Sequence, residues 1–450
     1  MKTTPNGNLK RDIGLISATI LVIANMVGTG VFTTSGFIIL ELNSYSLLML
    51  CWFLGGLFAL IGAFSYAELG AMFPKAGGEY AYLKESFGKL PAFVSGWISL
   101  VVGFSAPIAA ASIAFATYLL GNQEKTWFSL ELFDYEILTI NLISFIAIVC
   151  VILFSYIHYH SVKLGSNVQN FLTIFKIIFI FILIIGGFTV GNGDISRVTT
   201  TLLGDNFAIS WTHFAISLVL ISFAYSGWNA ASYLGAEIKN PQKNLPLALL
   251  IGTIFVTILY MLLNFVYIYA LSMDEMSGVL QVATQASNVL FGDKIGSIIS
   301  LAISFGLLSV VSAMIMAGPR VYYAMAEDGL FFQRFKKVCT KRNTPVQAII
   351  LQAIIAIVMI LTSTFESLLI YIGFTLSLAS MLTVIGLIKL RVQKPQIPRP
   401  YKTLWYPYLP LIFILANIGI IIFSFVSRPF ISSSGLLTIL VGVIIYYKIK

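Results

Sequence analysis

The sequence predicts an all-α membrane protein with twelve transmembrane helices, and three observations support this fold class. Hydrophobic residues make up 58% of the 450-residue chain and charged residues only 10%, whereas a soluble domain carries about 25% charged residues. Apolar runs long enough to cross a bilayer recur along the chain. Lysine and arginine are sorted between alternate connecting segments. Together these features exclude a soluble globular domain.

The predicted spans follow from the need for about 20 apolar residues per membrane-crossing helix. A first five-helix unit, residues 13–190, contains spans 13–40, 46–73, 91–120, 137–157 and 164–190. A second unit, residues 211–390, contains spans 211–236, 246–271, 286–324, 345–364 and 367–390. A C-terminal pair within residues 405–448 consists of spans 405–427 and 432–448. Residues 1–12 are a short polar N-terminus.

Charge placement supports the even number of spans. With the N-terminus inside, 22 of the 27 Lys and Arg residues fall in inner segments and four in outer ones, while Lys176 lies within a span. Positively charged loops remain on the cytoplasmic side of a membrane. We therefore expect a multi-pass protein of the plasma membrane with both termini in the cytoplasm. The net charge of +9 then reflects orientation and not nucleic-acid binding.

Glycines interrupt two spans near mid-length. The first break lies at residues 24–32, around Gly28 and Gly30, and the second at residues 223–229, around Gly227. Unwound backbone in hydrocarbon is tolerated where it lines a cavity, and broken helices in corresponding places of two halves indicate a transporter's substrate site. The breaks fall in spans one and six, so two five-span units would have opposite topology. We predict a 5+5 inverted repeat with helices 1 and 6 broken, followed by two further helices.

The first break has groups suited to a carboxylate. Unwinding would free the N–H groups of Thr29, Gly30 and Val31 at the positive end of the second half-helix. Glycine at 28 and 30 lets a ligand approach the backbone. The alternative is a small-residue face that packs against a neighbouring helix.

The second break offers the opposite polarity. Unwinding at Gly227 would free the carbonyls of Phe223, Ala224 and Ser226 at the negative end of a half-helix, where an ammonium group is favoured. The two breaks together would hold one zwitterion without an ionised side chain. No acidic side chain is expected in or near either break, which argues against a pocket dedicated to cations.

Side chains around the second break are candidates for gating and selectivity. We assign gating to Phe223 and Trp228, and contact with the substrate side chain to Tyr225, Trp228 and Asn229. For each aromatic taken singly, helix packing or an interfacial belt is the alternative.

Lys176 is the only charged residue between Leu164 and Gly193. A lysine at the centre of a span costs about 2.5–3.5 kcal/mol on insertion scales. The functional interpretation is a buried ammonium that bonds carbonyls near the first break and couples transport, as a fixed charge or a proton carrier. The alternative is a side chain that snorkels to the membrane interface.

Other charged residues lie near the inner ends of spans. We expect Glu68, Glu237 and Arg320 to form structural or gating ion pairs, with their partners left open. The chain has no phosphate-binding P-loop motif and no cluster of His, Asp or Glu at membrane depth, so no cofactor, no metal site and no enzymatic activity are expected.

Several stretches jointly resemble one family of membrane proteins. They are residues 25–32, 66–70, 74–82, 162–163, 169–170, 223–229, 237–241, 320–329 and 399–401, together with Lys176. In these stretches the chain resembles the amino acid–polyamine–organocation (APC) superfamily, close to bacterial permeases of the L-type and basic-permease branches. The resemblance covers most of the length and implies the LeuT-type fold.

The resemblance also implies roles for individual residues. It places the substrate carboxylate at Thr29 and Gly30, and Lys176 where sodium-coupled relatives bind sodium. It places the substrate amine on carbonyls that correspond to Met26, Phe223, Ala224 and Ser226.

The implied function is secondary transport of amino acids across the bilayer by alternating access. We expect neutral L-amino acids as substrates, with coupling to protons or to amino acid exchange; the alternative is a cationic amino acid or polyamine transporter of the same fold. Eukaryotic L-type members carry an outer-loop cysteine bonded to a heavy subunit. Residues 121–136 contain no cysteine, so no disulfide-linked heavy subunit is expected. The oligomeric state is left open, a monomer included.

Overall fold

The helices of the chain follow the predicted spans closely. The structure is a computed structural model that describes residues 11, 13–121, 126–132, 135–160, 162–203, 210–336 and 345–449. Because residues 1–10 and 12 lie outside this set, the predicted N-terminal segment 1–12 is almost wholly outside the described residues.

The helices are numbered in chain order. Those before residue 195 are α1 (Leu15–Met26), α2 (Gly30–Leu42), α3 (Tyr45–Met72), α4 (Glu79–Phe87), α5 (Lys89–Ile98), α6 (Ala106–Leu120), α7 (Leu142–His160) and α8 (Val162–Thr189). Those that follow are α9 (Ile195–Leu203), α10 (Trp211–Ala224), α11 (Ala230–Tyr233), α12 (Pro241–Ala270), α13 (Met273–Met276), α14 (Val282–Phe291), α15 (Asp293–Glu327), α16 (Val346–Thr362), α17 (Phe365–Gln393), α18 (Tyr408–Ser427) and α19 (Pro429–Ile449). A π-helical segment, Ser99–Ser105, joins α5 to α6, and a 3₁₀ turn spans Gln333–Lys336.

The predicted fold class, an all-α membrane protein, is confirmed. Among the described residues, ten helical segments are long and apolar enough to cross a membrane, with Leu15–Leu42 counted as one despite its break. Helices α10 and α16 occupy the sixth and ninth predicted spans but have only 14 and 17 residues. The count of twelve crossings and the division into inverted repeats therefore stay predictions.

The long helices bury one face and leave the other apolar. On α8, Ile180 and Leu183 are buried in the bundle, whereas Phe171, Ile178 and Ile182 are exposed. Water would disfavour such a continuous apolar exterior, but lipid tails accept it. The same side chains that exclude a soluble protein thus form the surface in contact with the membrane.

Two predicted boundaries were wrong. The span predicted at 137–157 begins only at Leu142, because an antiparallel hairpin of β1 (Thr126–Leu132) and β2 (Tyr135–Asn141) precedes it. Polar and apolar residues alternate there, which is the period of a strand and not of a helix. The span predicted at 286–324 is divided at Gly292, whose φ of +84° ends α14 before α15 begins.

Two connections that the charge pattern predicts to be inner pack against the chain that follows the second break. The segment before α4 pairs with α11, since the Gly77 N–H donates to the Tyr233 carbonyl at 3.1 Å. The chain before α1 pairs with the segment after α11: the Ile13 N–H donates to the Glu237 carbonyl at 3.0 Å, and the Lys239 N–H donates to the Ile13 carbonyl at 2.8 Å. These contacts place both segments against the chain that follows the break in the sixth span.

Candidate functional site between the two helix breaks

The first break unwinds the chain between α1 and α2. Helix α1 ends at Met26, Val27 has a non-helical backbone (φ −72°, ψ 87°), and α2 begins at Gly30. No described residue accepts a hydrogen bond from the N–H groups of Thr29, Gly30 or Val31. The start of α2 therefore presents free donors and the positive end of a helix dipole, as predicted.

Lys176 lies at the negative end of α1. Its side chain is only 1% exposed, and Nζ donates hydrogen bonds to the carbonyls of Ala24, at 3.2 Å, and Val27. A cation at the end of α1 satisfies carbonyls that the break would leave without partners. The snorkelling alternative is wrong, because the ammonium group lies within the bundle.

The second break unwinds the chain after α10. Helix α10 ends at Ala224, and residues 225–229 form turns before the four-residue α11. Gly227 has φ of +92°, a conformation that favours glycine. The broken sixth span is thus confirmed, although its second half-helix is a single short turn and not the longer half-helix that span 211–236 implied.

The two breaks touch each other through glycine. A Cβ atom on Gly30 would lie 2.5 Å from Ala224 Cα, and one on Gly227 would lie 2.8 Å from the Asn25 carbonyl oxygen. Gly28 has more room, since a Cβ atom there would lie 3.6 Å from Val310. The small-residue packing interpretation therefore holds at Gly30 in addition to any role in binding.

Most of the predicted amine-binding carbonyls already accept hydrogen bonds. The Tyr260 hydroxyl donates to the carbonyls of Met26, at 2.5 Å, and Ala224, at 3.1 Å. The Phe223 carbonyl accepts from the Ser226 N–H at 2.8 Å. Among the described residues, none donates to the Ser226 carbonyl. Ser226 therefore offers the least encumbered acceptor, while the others have one lone pair left to share.

A cavity of about 110 Å³ adjoins the second break. Of the residues predicted to touch substrate or to gate it, Tyr225, Ser226, Gly227, Trp228 and Asn229 line this cavity. Much of the wall is apolar and includes Phe104, Met314 and Ala317. Phe104 belongs to the π-helical segment, a geometry often found at functional sites.

The remaining predicted site residues lie behind this wall. Those that do not line the cavity are Met26, Gly28, Thr29, Gly30, Val31, Phe223 and Ala224. The direct contact of Gly30 with Ala224 accounts for this, because it leaves no space between the start of α2 and the end of α10. Phe223 is buried, as a closed gate would be, and its gating role stays a prediction.

Two of the predicted aromatic residues make firm packing contacts. Trp228 meets the ring of Tyr66 edge to face, with centroids 4.6 Å apart, and its indole lies 2.8 Å from the position of a Cβ atom on Gly62 of α3. The Tyr225 hydroxyl donates to the Trp52 carbonyl at 2.8 Å. Both residues thus combine a packing role with a place in the cavity wall.

Glu79, which was not among the predicted site residues, opens α4 and lines the cavity. The residue as a whole is 4% exposed, and Oε1 accepts hydrogen bonds from the Tyr66 hydroxyl at 2.5 Å and from Asn229 Nδ2 at 3.0 Å. The expectation that no acidic side chain lies near either break was wrong. The signal was present in the Gly77-Gly78-Glu79 sequence, because two glycines allow the inner segment to turn back towards α11.

The surroundings of Glu79 make its ionised form costly. Burial raises the pKa of this carboxyl to about 7, while the hydrogen bonds from Tyr66 and Asn229 limit the rise. No described Lys, Arg or His forms an ion pair with it. The break in the sixth span therefore has a carboxyl group that can change charge near neutral pH.

Comparison with known proteins identifies the family to which the chain belongs. The model of the family described as amino acid permeases matches residues 13–446, which is nearly the whole chain. The chain belongs to the amino acid permease family. The resemblance to the APC superfamily is thereby confirmed.

The permease has relatives among mammalian transporters. It is 30% identical over 445 residues to the mouse protein named large neutral amino acids transporter small subunit 2, which covers 98% of this chain and 81% of that relative. The rabbit protein of that name is 31% identical over 445 residues, 98% of this chain and 80% of the relative. The mouse b(0,+)-type amino acid transporter 1 is 29% identical over 436 residues, which cover 95% of this chain and 85% of that relative. The permease is a membrane transporter and not an enzyme, as predicted.

The structure supplies the ion-pair partners that the sequence left open. In the permease, Arg320 Nε lies 2.9 Å from Glu237 Oε1, so two of the three predicted residues pair with each other. Glu68 instead pairs with Arg391, at 2.5 Å, and lies 3.3 Å from Arg399 Nε. Both pairs connect segments that lie far apart in the sequence.

Proposed function

We propose that the permease carries neutral L-amino acids across the plasma membrane by alternating access, with both termini in the cytoplasm. The observation that supports this most directly is the pairing of opposite polarities. Free N–H groups at the start of α2 and the free Ser226 carbonyl after α10 belong to helix breaks in contact with each other. A zwitterion has a carboxylate for the first set and an ammonium for the second.

Transport in this proposal requires the two breaks to separate. Gly30 packs on Ala224 here, so the carboxylate site opens only when the helices on either side move apart. A bundle of spans 1, 2, 6 and 7 would rock against a scaffold of spans 3, 4, 8 and 9. The Arg320–Glu237 pair and the Ile13–Glu237 contact hold the inner ends together in the present conformation.

Lys176 is the proposed coupling residue. Its ammonium bonds the carbonyls of Ala24 and Val27, so it supplies a fixed positive charge at the end of α1. A fixed cation would make a bound metal cation unnecessary at that place, and a released proton would make the site proton-coupled. Exchange and proton symport both agree with this geometry.

One observation favours the second candidate, a cationic amino acid or polyamine transporter. Glu79 places a carboxyl group in the cavity wall without a cationic partner among the described residues. A substrate with a second positive charge would supply that partner. The largely apolar remainder of the wall favours the neutral substrates.

No disulfide-linked heavy subunit is proposed for this chain. The name of the mouse and rabbit relatives describes each of them as a small subunit. This raises the question whether the permease also assembles with a second subunit. Residues 121–136, the outer connection, contain no cysteine, and Cys51 and Cys150 are buried. Electrophoresis of membranes from the native source with and without reductant tests this, because a reductant-sensitive heavier band would contradict it.

The function is tested by reconstitution into liposomes. Uptake of a labelled mixture of amino acids would be measured with and without internal amino acid, and with and without a pH gradient. Uptake that requires internal substrate indicates exchange, and uptake driven by an inward proton gradient indicates symport. Preferential uptake of lysine, arginine or polyamines would select the second candidate, and absence of uptake of any of these would contradict both.

A further inference from the structure

Glu79 has one oxygen atom with a partner and one without. Both hydrogen bonds, from the Tyr66 hydroxyl and from Asn229 Nδ2, end on Oε1. No described residue donates to Oε2, and Oε2 is not among the fully enclosed atoms that lack a partner. Because Glu79 lines the cavity, the free oxygen is an acceptor within reach of a molecule bound there.

The neighbours of the carboxyl group do not neutralise it. The titratable groups around it are the hydroxyls of Tyr66 on α3, Tyr82 on α4 and Tyr233 on α11. Tyrosine ordinarily titrates near pH 10, so these groups stay neutral and act only as donors and acceptors. A buried carboxylate held by two neutral donors remains short of stabilising partners, and a ligand that brings a donor would be favoured there.

The carboxyl group lies where a substrate side chain would extend. Ser226, the proposed acceptor for the substrate amine, is only three residues before Asn229, which bonds Glu79. All three residues line the same cavity, and its wall also includes the apolar residues Phe104, Met314 and Ala317. A substrate side chain in this cavity would therefore meet apolar groups as well as a carboxyl oxygen.

We propose that Glu79 Oε2 makes the permease selective for amino acids whose side chain ends in an N–H or O–H donor. The inference rests on the proposed amino acid transport and adds a determinant of substrate choice. The bond is the substrate's donor hydrogen to Oε2, and no covalent step is involved. A site built to satisfy a polar group discriminates against an isostere that lacks the matching atom.

The test compares substrates of nearly equal shape that differ in a donor. Competition against labelled leucine would be measured in proteoliposomes for threonine against valine, asparagine against leucine, and glutamine against methionine, with the same buffer on both sides. A hydrogen bond to a charged group corresponds to roughly 10- to 100-fold in affinity. In at least one of the three pairs, we expect the amino acid with the side-chain donor to compete roughly 10- to 100-fold better than its partner.

The variant Glu79→Gln replaces the acceptor Oε2 with an amide group that donates. The Glu79→Gln change should remove or reverse the preference for substrates whose side chain ends in a donor, while leucine is still carried. The matched control is Glu85→Gln on the same helix, since Glu85 pairs with the exposed Lys75 and does not line the cavity. A Glu79→Gln protein that carries leucine with an unchanged donor preference would overturn the inference but leave the proposed function standing.

A second measurement covers the case in which Glu79→Gln does not fold. Wild-type selectivity would be measured from about pH 5.5 to about pH 8.5. Because the Glu79 pKa is about 7, protonation at low pH turns Oε2 into a hydroxyl donor, and the preference for donor-bearing substrates should fall as pH decreases. A constant ratio over this interval would overturn the inference. Absence of wild-type uptake for every amino acid would instead contradict the proposed function itself.

Discussion

At the scale of single residues, Lys176 explains how an unwound helix persists inside the bundle. A break leaves the last carbonyls of α1 without intrahelical donors, and these carbonyls are away from water. Nζ of Lys176 donates to two of them, so one charged side chain compensates for the lost helical hydrogen bonds. The cost of burying the ammonium is in turn reduced by the negative end of α1.

Replacing Lys176 with methionine should lower transport more than it lowers folding. Methionine keeps the unbranched apolar stem but removes the donors to Ala24 and Val27, and we expect the initial uptake rate to fall at least about tenfold, as for loss of a charged hydrogen bond. The measurement is leucine uptake per amount of monodisperse protein. The control is Ile178→Met on the exposed face of α8. A rate near that of the wild type would remove Lys176 from the transport mechanism.

Glu79 should make the stability of the permease depend on pH. Burial raises its pKa to about 7 from an ordinary value of 4.5, so the folded protein holds a proton that the unfolded chain releases. Stability therefore falls as pH rises from about 4.5 to about 7, by roughly 3 kcal/mol, and stays lower above that interval. Thermal unfolding in detergent should show a smaller decrease between pH 5 and pH 8 for Glu79→Gln than for wild type. Parallel curves for the two proteins would contradict this.

At the scale of elements, the two breaks depend on each other for their shape. Gly30 at the start of α2 and Ala224 at the end of α10 are in direct backbone contact, and Gly227 packs on the carbonyl of Asn25. Tyr260 of α12 joins them from the side through the carbonyls of Met26 and Ala224. A substitution at either glycine therefore changes packing as well as any ligand site.

Gly30→Ala should destabilise the permease before any substrate is considered. A Cβ atom at 2.5 Å from Ala224 Cα meets backbone that has no flexible end to move, and such overpacking costs typically about 1–3 kcal/mol. Thermal stability without substrate is the measurement. The control is Gly419→Ala in α18, where a Cβ atom meets nothing within 4 Å and helix propensity favours alanine by about 0.5–1 kcal/mol. Equal stability of the two variants would show that the breaks separate readily.

At the scale of the whole molecule, ion pairs join distant parts of the chain on the predicted inner side. Glu68 of α3 is fully buried and bonds Arg391 of α17, and it also accepts from the Thr403 N–H at 2.7 Å. Lys84 of α4 pairs with Asp328, which follows α15, at 2.6 Å. The Lys84–Asp328 pair joins the two predicted repeats, and the contacts of Glu68 join the first repeat to the chain that follows the second.

Glu68→Gln should lower thermal stability strongly. The change leaves two arginines beside a neutral amide, and loss of one partner of a buried pair costs about 3–5 kcal/mol. Unfolding in detergent measures this, and the control is Glu366→Gln, whose pair with Arg428 leaves both side chains 47% exposed. An exposed pair contributes at most about 1 kcal/mol. A Glu68→Gln protein no less stable than the Glu366→Gln control would contradict the assigned role.

Much of the fold could be predicted because the relevant information is local. Apolar runs located the spans to within a few residues, as α3 (Tyr45–Met72) shows against the predicted 46–73. The hairpin before α7 was missed although its alternating pattern is visible, because a long apolar run adjoins it. Glu79 was missed because the Gly77-Gly78 pair indicates only a local turn, whereas the place to which that turn brings Glu79 depends on how the segment folds against α11.

The sequence by itself determined that this chain lies in a membrane, where its helices run and where two of them break. Hydropathy and glycine content act within a few neighbouring residues, so they can be read along the chain. Only the tertiary structure decided that Lys176 caps α1, that Tyr260 bonds the carbonyls of both breaks and that Glu79 enters the cavity. Those contacts join residues up to 234 positions apart, and burial in a shared interior, not local periodicity, brings them together.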